Sequence, residues 1–100
     1  LEALVVAVDY DTMCAAEVAV DAALFLVDDR GQFLANRDAG AFAGYPDPAA
    51  TIGEALIAGT ARPTGRVVVS HLGVGLADVV FGDAILATAV AAGRGIVLPR

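Results

Sequence analysis

The stretch from Arg66 to Gly93, RVVVSHLGVGLADVVFGDAILATAVAAG, constrains the fold more than any other. Val67, Val68 and Val69 are consecutive and β-branched, the pattern of a strand covered on both faces. Gly73 and Gly75 permit a tight turn and leave no Cβ to obstruct a ligand lying over the backbone. From Leu76 the pattern is helical, with Asp78 and Asp83 early and Gly93 at its end. That order agrees with the helix dipole and with C-capping. A strand feeding a helix through a Gly-rich turn is the half-unit of an α/β sheet that binds nucleotides at its strand ends.

The upstream sequence supplies further strand ends. Leu4 to Val8 reads as a buried strand that runs into Asp9-Tyr10-Asp11-Thr12, and carboxylates just past a strand lie where open α/β sheets bind ligands. Met13 to Asp21 is a short, weakly helical connection, and Leu24 to Val27 is a second strand closed by Asp28-Asp29-Arg30. Gln32 to Ala43 is expected to hold a short helix with Phe33, Leu34 and Phe42 as its apolar contacts. Gly44 to Pro48 is a loop, because two prolines and a glycine cannot continue a helix. Thr51-Ile52-Gly53-Glu54 is a capping box opening a brief helix that stops near Gly59. After Gly93, Ile96-Val97-Leu98 reads as one more short strand. The expectation is three or four strands and three helices, with a first connection near the lower length limit for a parallel crossover.

Composition narrows the chemistry. One hundred residues form one small domain or part of a larger one, and 58% of them are apolar, so some apolar surface is expected against another domain or subunit. The start at Leu1, without an initiator Met or signal-peptide pattern, suits an excerpt of a longer polypeptide. Net charge is −6, with no lysine, which argues against nucleic acid and anionic membrane and excludes lysine-based covalent catalysis by this segment. The longest apolar run is too short to span a bilayer. Cys14 alone makes neither an internal disulfide nor a CxxC zinc site, and a single histidine without clustered partners makes no metal site. A reducing, cytoplasmic setting is the default expectation.

Taken in order, VAVDYDTMCAAEV, LFLVDD, TIGEALIAGTARPTGR, VVVSHLGVGLADVVFGDAI and GRGIVLPR resemble the C-terminal part of the ornithine cyclodeaminase/mu-crystallin family, collinearly over nearly the whole chain. The resemblance implies an α/β fold in which residues 1–100 are the C-terminal part of a Rossmann-type NAD(P)-binding domain. Residues 76–100 would be the long helix and tail that return to a dimerisation domain outside this sequence, with a homodimer formed there. The family's GxGxxG-type turn would lie upstream. Gly73-Val74-Gly75-Leu76-Ala77-Asp78 mimics its first two glycines, but Asp78 stands where the third small residue is needed, so this is not the pyrophosphate fingerprint.

By the same resemblance, Asp11 falls on the family's acid/base Asp and Glu17 on the Glu that follows it. Thr12, Met13, Cys14 and Ala15 replace the intervening Pro-Gly-Lys pattern. The VDYDT form looks closer to a bacterial branch of the family that carries a tyramine oxidase name. His71 and Gly73 align with the Ser and Gly that the family places beside the cofactor in its last strand–helix turn. The candidate site is therefore Asp11 as the catalytic group, with Asp9, Thr12, His71 and Gly73 binding NAD or NADP. Each has a plainer structural reading. Asp11 could be a solvated turn former, His71 a satisfied strand-end residue, Glu54 only a cap, and Asp28 and Asp29 only turn or N-cap residues. Cys14 has no nearby base in sequence.

The expected function is that of an NAD(P)-dependent oxidoreductase or cyclodeaminase acting on an amino acid, imino acid or amine, with this segment inactive alone. Two alternatives stand beside it: an NADPH-dependent small-ligand carrier like mu-crystallin, and a non-catalytic subunit using the apolar helix as an oligomer face.

Overall fold

The computed structural model describes residues 2–8, 10 and 13–99. The chain is mixed α/β. Its elements run β1 (Ala3–Ala7), α1 (Ala16–Val20), β2 (Leu24–Val27), α2 (Arg30–Asp38), β3 (Ala50–Thr51), α3 (Ile52–Ile57), β4 (Arg66–Ser70) and α4 (Gly75–Ala91). The four strands form one parallel sheet in the order β1-β4-β2-β3. The valine-rich β4 is thus paired on both edges, as its continuous apolar run demands.

Register divides the strand residues cleanly between two faces. Val5, Val68 and Phe25 align across the sheet, as do Ala7, Ser70 and Val27. Val5, Val68, Phe25 and Val27 face Ala19 of α1 and Phe33 of α2, with Phe42 and Tyr45 from the following loop closing the same core. The rings of Phe25, Phe33, Phe42 and Tyr45 stack edge-on or tilted at centroid distances of 5.0–6.2 Å, the favoured range for aromatic pairs. Tyr45 also donates its hydroxyl hydrogen to the Cys14 carbonyl at 2.7 Å, joining this loop to the segment before α1.

The opposite face carries Leu4, Val67 and Leu24 in one row and Val6, Val69 and Leu26 in the next. Among the described helices, α3 is the one that lines it. The connections β1–β2 and β2–β3 step one way across the sheet, whereas β3–β4 steps back, and right-handed crossovers then put α3 on the other side. The cover is partial: Leu4 is 60% exposed, and an open apolar groove of about 250 Å³ runs between Leu4, Leu24, Leu26 and Val67 of the sheet and Ile52 and Leu56 of α3.

Helix α4 stands apart. None of its residues is buried, and Leu76, Val79, Phe81, Ile85, Leu86 and Val90 are all exposed. Its 17 residues extend about 25 Å at 1.5 Å per residue. This projection accounts for a radius of gyration of 17.5 Å, against about 13 Å for a compact domain of this length. A helix that is apolar all round ordinarily has neighbours on every side.

Several sequence expectations need correction. β1 spans Ala3–Ala7 and alternates in burial rather than being covered on both sides, because one face of the sheet is open. α2 begins earlier, at Arg30, and ends at Asp38. Phe42 reaches the core from a loop position with φ 53°, not from the helix. The two-residue β3 lies inside a segment with no strand pattern of its own and owes its form to pairing with Leu26 and Val27. Ile96 to Leu98 form no strand and are exposed, because they pair with none of the four strands of the sheet. There are four helices among the described residues rather than three, α1 being a single short turn of five residues.

Candidate functional site at the carboxyl edge of the sheet

Parallel strands end together, so their register determines which side chains meet. Ala7, Ser70 and Val27 are the last aligned residues of β1, β4 and β2. The next residues on the three strands are therefore Val8, His71 and Asp28. The amide of His71 donates to the Ala7 carbonyl at 2.8 Å, carrying the β1–β4 ladder one step past the strand.

Asp28 reaches across to the turn after β4. Its Oδ2 accepts the Gly73 N–H at 2.7 Å, and its Oδ1 accepts the Asp29 N–H at 2.9 Å. The same Oδ2 lies 3.6 Å from Nδ1 of His71. The Asp28 side chain is 6% exposed, while the imidazole is 40% exposed. A nearly buried carboxylate thus accepts a backbone amide hydrogen and lies beside a half-open histidine. Leu72, between them in sequence, packs against the core and anchors the turn.

Gly73 has φ +90°, a conformation that side chains with a Cβ rarely adopt. Among the described residues, no atom beyond its chain neighbours lies within 4 Å of where its Cβ would stand. The glycine is needed for the turn and leaves room for a group to approach the chain there.

The two acids that end β2 have separate tasks. Asp29 caps α2 through the Gln32 N–H at 2.6 Å, as a strand-to-helix N-cap residue should. Asp28 does not cap. Sequence reasoning groups it with Asp29 as a turn former and so misses it as a site residue. The available signal is its position, one step beyond the strand that pairs with the strand ending at His71, and that pairing is invisible without the strand order.

Of the sequence-derived candidates, His71 and Gly73 come together with Asp28. Asp9, Asp11 and Thr12 lie outside the described residues. Val8 and Tyr10 flank them, with Tyr10 approaching Phe42 at a ring-centroid distance of 6.4 Å. Glu54 belongs to the capping box: its carboxylate accepts the Thr51 N–H at 2.7 Å and its own N–H donates to Thr51 Oγ1 at 3.1 Å. The hydrogen bonds from Thr51, aided by the nearby Arg30 guanidinium, hold the Glu54 carboxyl below the usual range. Among the described residues, no three His, Cys, Asp or Glu side chains converge on a metal-sized space.

The start of α4 does not suit a pyrophosphate, because Asp78 in its first turn opposes a second negative charge. The apolar groove beside α3 sits at the amino-terminal half of the strands, against Leu4, Val67 and Leu24, and is uncovered sheet surface rather than part of this edge. No protein-family model, characterised protein or solved structure matches the chain.

Proposed function

We propose that the chain forms part of an NAD(P)-dependent enzyme of the ornithine cyclodeaminase type, acting on an amino acid, imino acid or amine. The reading starts from a four-stranded parallel sheet with a C-terminal helix, and takes it as the last part of a Rossmann-type domain. The observation that carries it is the meeting of His71, Gly73 and Asp28 at the carboxyl ends of β4 and β2, where α/β sheets hold ligands. The family resemblance of the Asp11 and His71–Gly73 segments supports it independently of the geometry.

In this reading, Gly73 receives the nicotinamide end along its open backbone, and His71 contacts the carboxamide or the substrate. The dinucleotide would supply the hydride acceptor for oxidation of the substrate α-carbon to an imine. Asp11 moves the accompanying proton or activates water for attack on the resulting imine. Asp28 keeps the turn and the imidazole in place. The pyrophosphate cradle comes from sequence outside these residues, and the exposed apolar α4 packs toward a dimerisation domain.

Binding of NADH and NADPH to the intact protein, followed by fluorescence and calorimetry, tests the reading. Micromolar binding of either that weakens in His71→Ala supports it; no binding of either sinks it. The replaced Pro-Gly-Lys pattern after Asp11 favours one second reading, a dinucleotide-dependent small-ligand carrier. Asp11→Asn separates the two, since turnover collapses in an enzyme while a carrier keeps its ligand affinity.

A further inference from the structure

The contact between Asp28 and His71 bears on which ring nitrogen carries the proton. A carboxylate only accepts hydrogen bonds. Asp28 already takes one from Gly73 and one from Asp29, and its Oδ2 then faces Nδ1 of His71 at 3.6 Å. A bare Nδ1 would set two acceptors against each other beside a nearly buried charge, which is unfavourable where water screens little. An N–H at Nδ1 turns the same approach into an attraction, and a shift of a few tenths of an ångström makes it a hydrogen bond. No other acid competes for the ring in the ion pairs of the described residues.

We infer that Asp28 is a positioning residue that holds neutral His71 as the Nδ1–H tautomer, leaving Nε2 as a bare acceptor on the ring edge remote from Asp28. The hydrogen bond made by one ring nitrogen decides the role of the other. The imidazole side chain is 40% exposed, so a ligand can reach the ring. The group it receives is then a hydrogen-bond donor, a carboxamide N–H or an amine N–H, and not a carboxylate. Asp28 also holds the Gly73 amide, so one carboxylate sets both the ring and the backbone on which that ligand would lie. The ligand part of this inference rests on the dinucleotide reading; the tautomer does not.

His71 is the chain's only histidine, so its ring nitrogens give unambiguous signals in a ¹⁵N-labelled sample of the full chain. With the ring neutral, long-range ¹H–¹⁵N spectra are expected to show a protonated Nδ1 and a bare Nε2. In Asp28→Ala, which leaves Nδ1 without this acceptor, the signals are expected to move to the Nε2–H form that neutral imidazole side chains prefer in water. A protonated Nε2 in the unsubstituted chain overturns the inference, as does an unchanged Nδ1–H form in a folded Asp28→Ala. If that variant fails to fold, the unsubstituted chain alone decides. Adding NADH or NADPH to the same sample tests the dinucleotide reading separately: signals that stay put at saturating nucleotide remove that reading and leave the tautomer result standing.

Discussion

The Asp28 carboxylate accepts the backbone N–H of Gly73 at 2.7 Å, joining the end of β2 to the turn after β4 across 45 positions of sequence. The contact is local in space and remote along the chain, and it places a charge, a histidine and an open stretch of backbone at one edge of a parallel sheet.

Removing that carboxylate leaves the exposed Gly73 amide to solvent. Asp28→Ala is expected to cost about 0.5–1.5 kcal/mol, the net worth of a hydrogen bond whose donor solvent can reach. Asp28→Asn retains an acceptor for Gly73 and should cost less. Chemical denaturation of the two variants beside the parent chain checks the order; equal losses would mean that the Gly73 bond contributes little.

Gly73 separates backbone strain from occupancy. Gly73→Ala meets no atom of the other described residues, so its cost is set by the φ of +90°, about 1–2 kcal/mol. If a nicotinamide lies over this backbone, the added methyl obstructs it, and NAD(P)H affinity falls by about tenfold or more in protein that is still folded. Paired denaturation and nucleotide titrations measure the two effects separately; unchanged affinity would move the cofactor away from Gly73.

Phe33, in the polar stretch RGQFLANRD, and Phe81, in the apolar stretch VVFGDAIL, should behave opposite to their sequence surroundings. Phe33 is fully buried at the centre of the aromatic cluster, and Phe33→Ala is expected to lose about 3–5 kcal/mol. A loss of that size removes much of the stability of a small domain, about 5–15 kcal/mol in all. Phe81 on α4 is 68% exposed, and Phe81→Ala should change stability by no more than about 0.5 kcal/mol. Thermal or denaturant unfolding compares them directly, and a large loss at Phe81 would show that α4 packs on the sheet in solution.

The capping box at α3 should respond to acid. Glu54 is held below its ordinary pKa chiefly by the Thr51 backbone N–H. A carboxylate lowered in the folded state contributes stability that is present above its unfolded pKa and is lost as pH falls through the folded one. Helicity at α3 should therefore decline on acidification below about pH 4, the ordinary glutamate range. Glu54→Gln should flatten that dependence, and Thr51→Ala should cost about 1 kcal/mol at neutral pH. Amide hydrogen exchange within Ile52–Ile57, followed against pH, reports both; an unchanged profile in Glu54→Gln would assign the acid response to another group.

Short-range pattern was enough for the local elements. The β-branched run at Val67–Val69, the capping box from Thr51 to Glu54, and the long apolar helix before Gly93 each rest on residues a few positions apart, and each forms where its pattern stands. His71 and Gly73 are also legible as strand-end residues. Everything else depended on tertiary structure, because the deciding partners are far apart in sequence. Insertion of β4 between β1 and β2 brings Asp28 to His71, a pairing that no spacing within the chain encodes. It also sorts equally apolar residues into core and surface. Phe42 is buried through a left-handed loop position that helical periodicity would not assign, while Phe81 stays in solvent on a helix with no buried residue. Periodicity shows that a side chain is apolar and which local face it shares; only the packing of distant elements determines whether that face is covered.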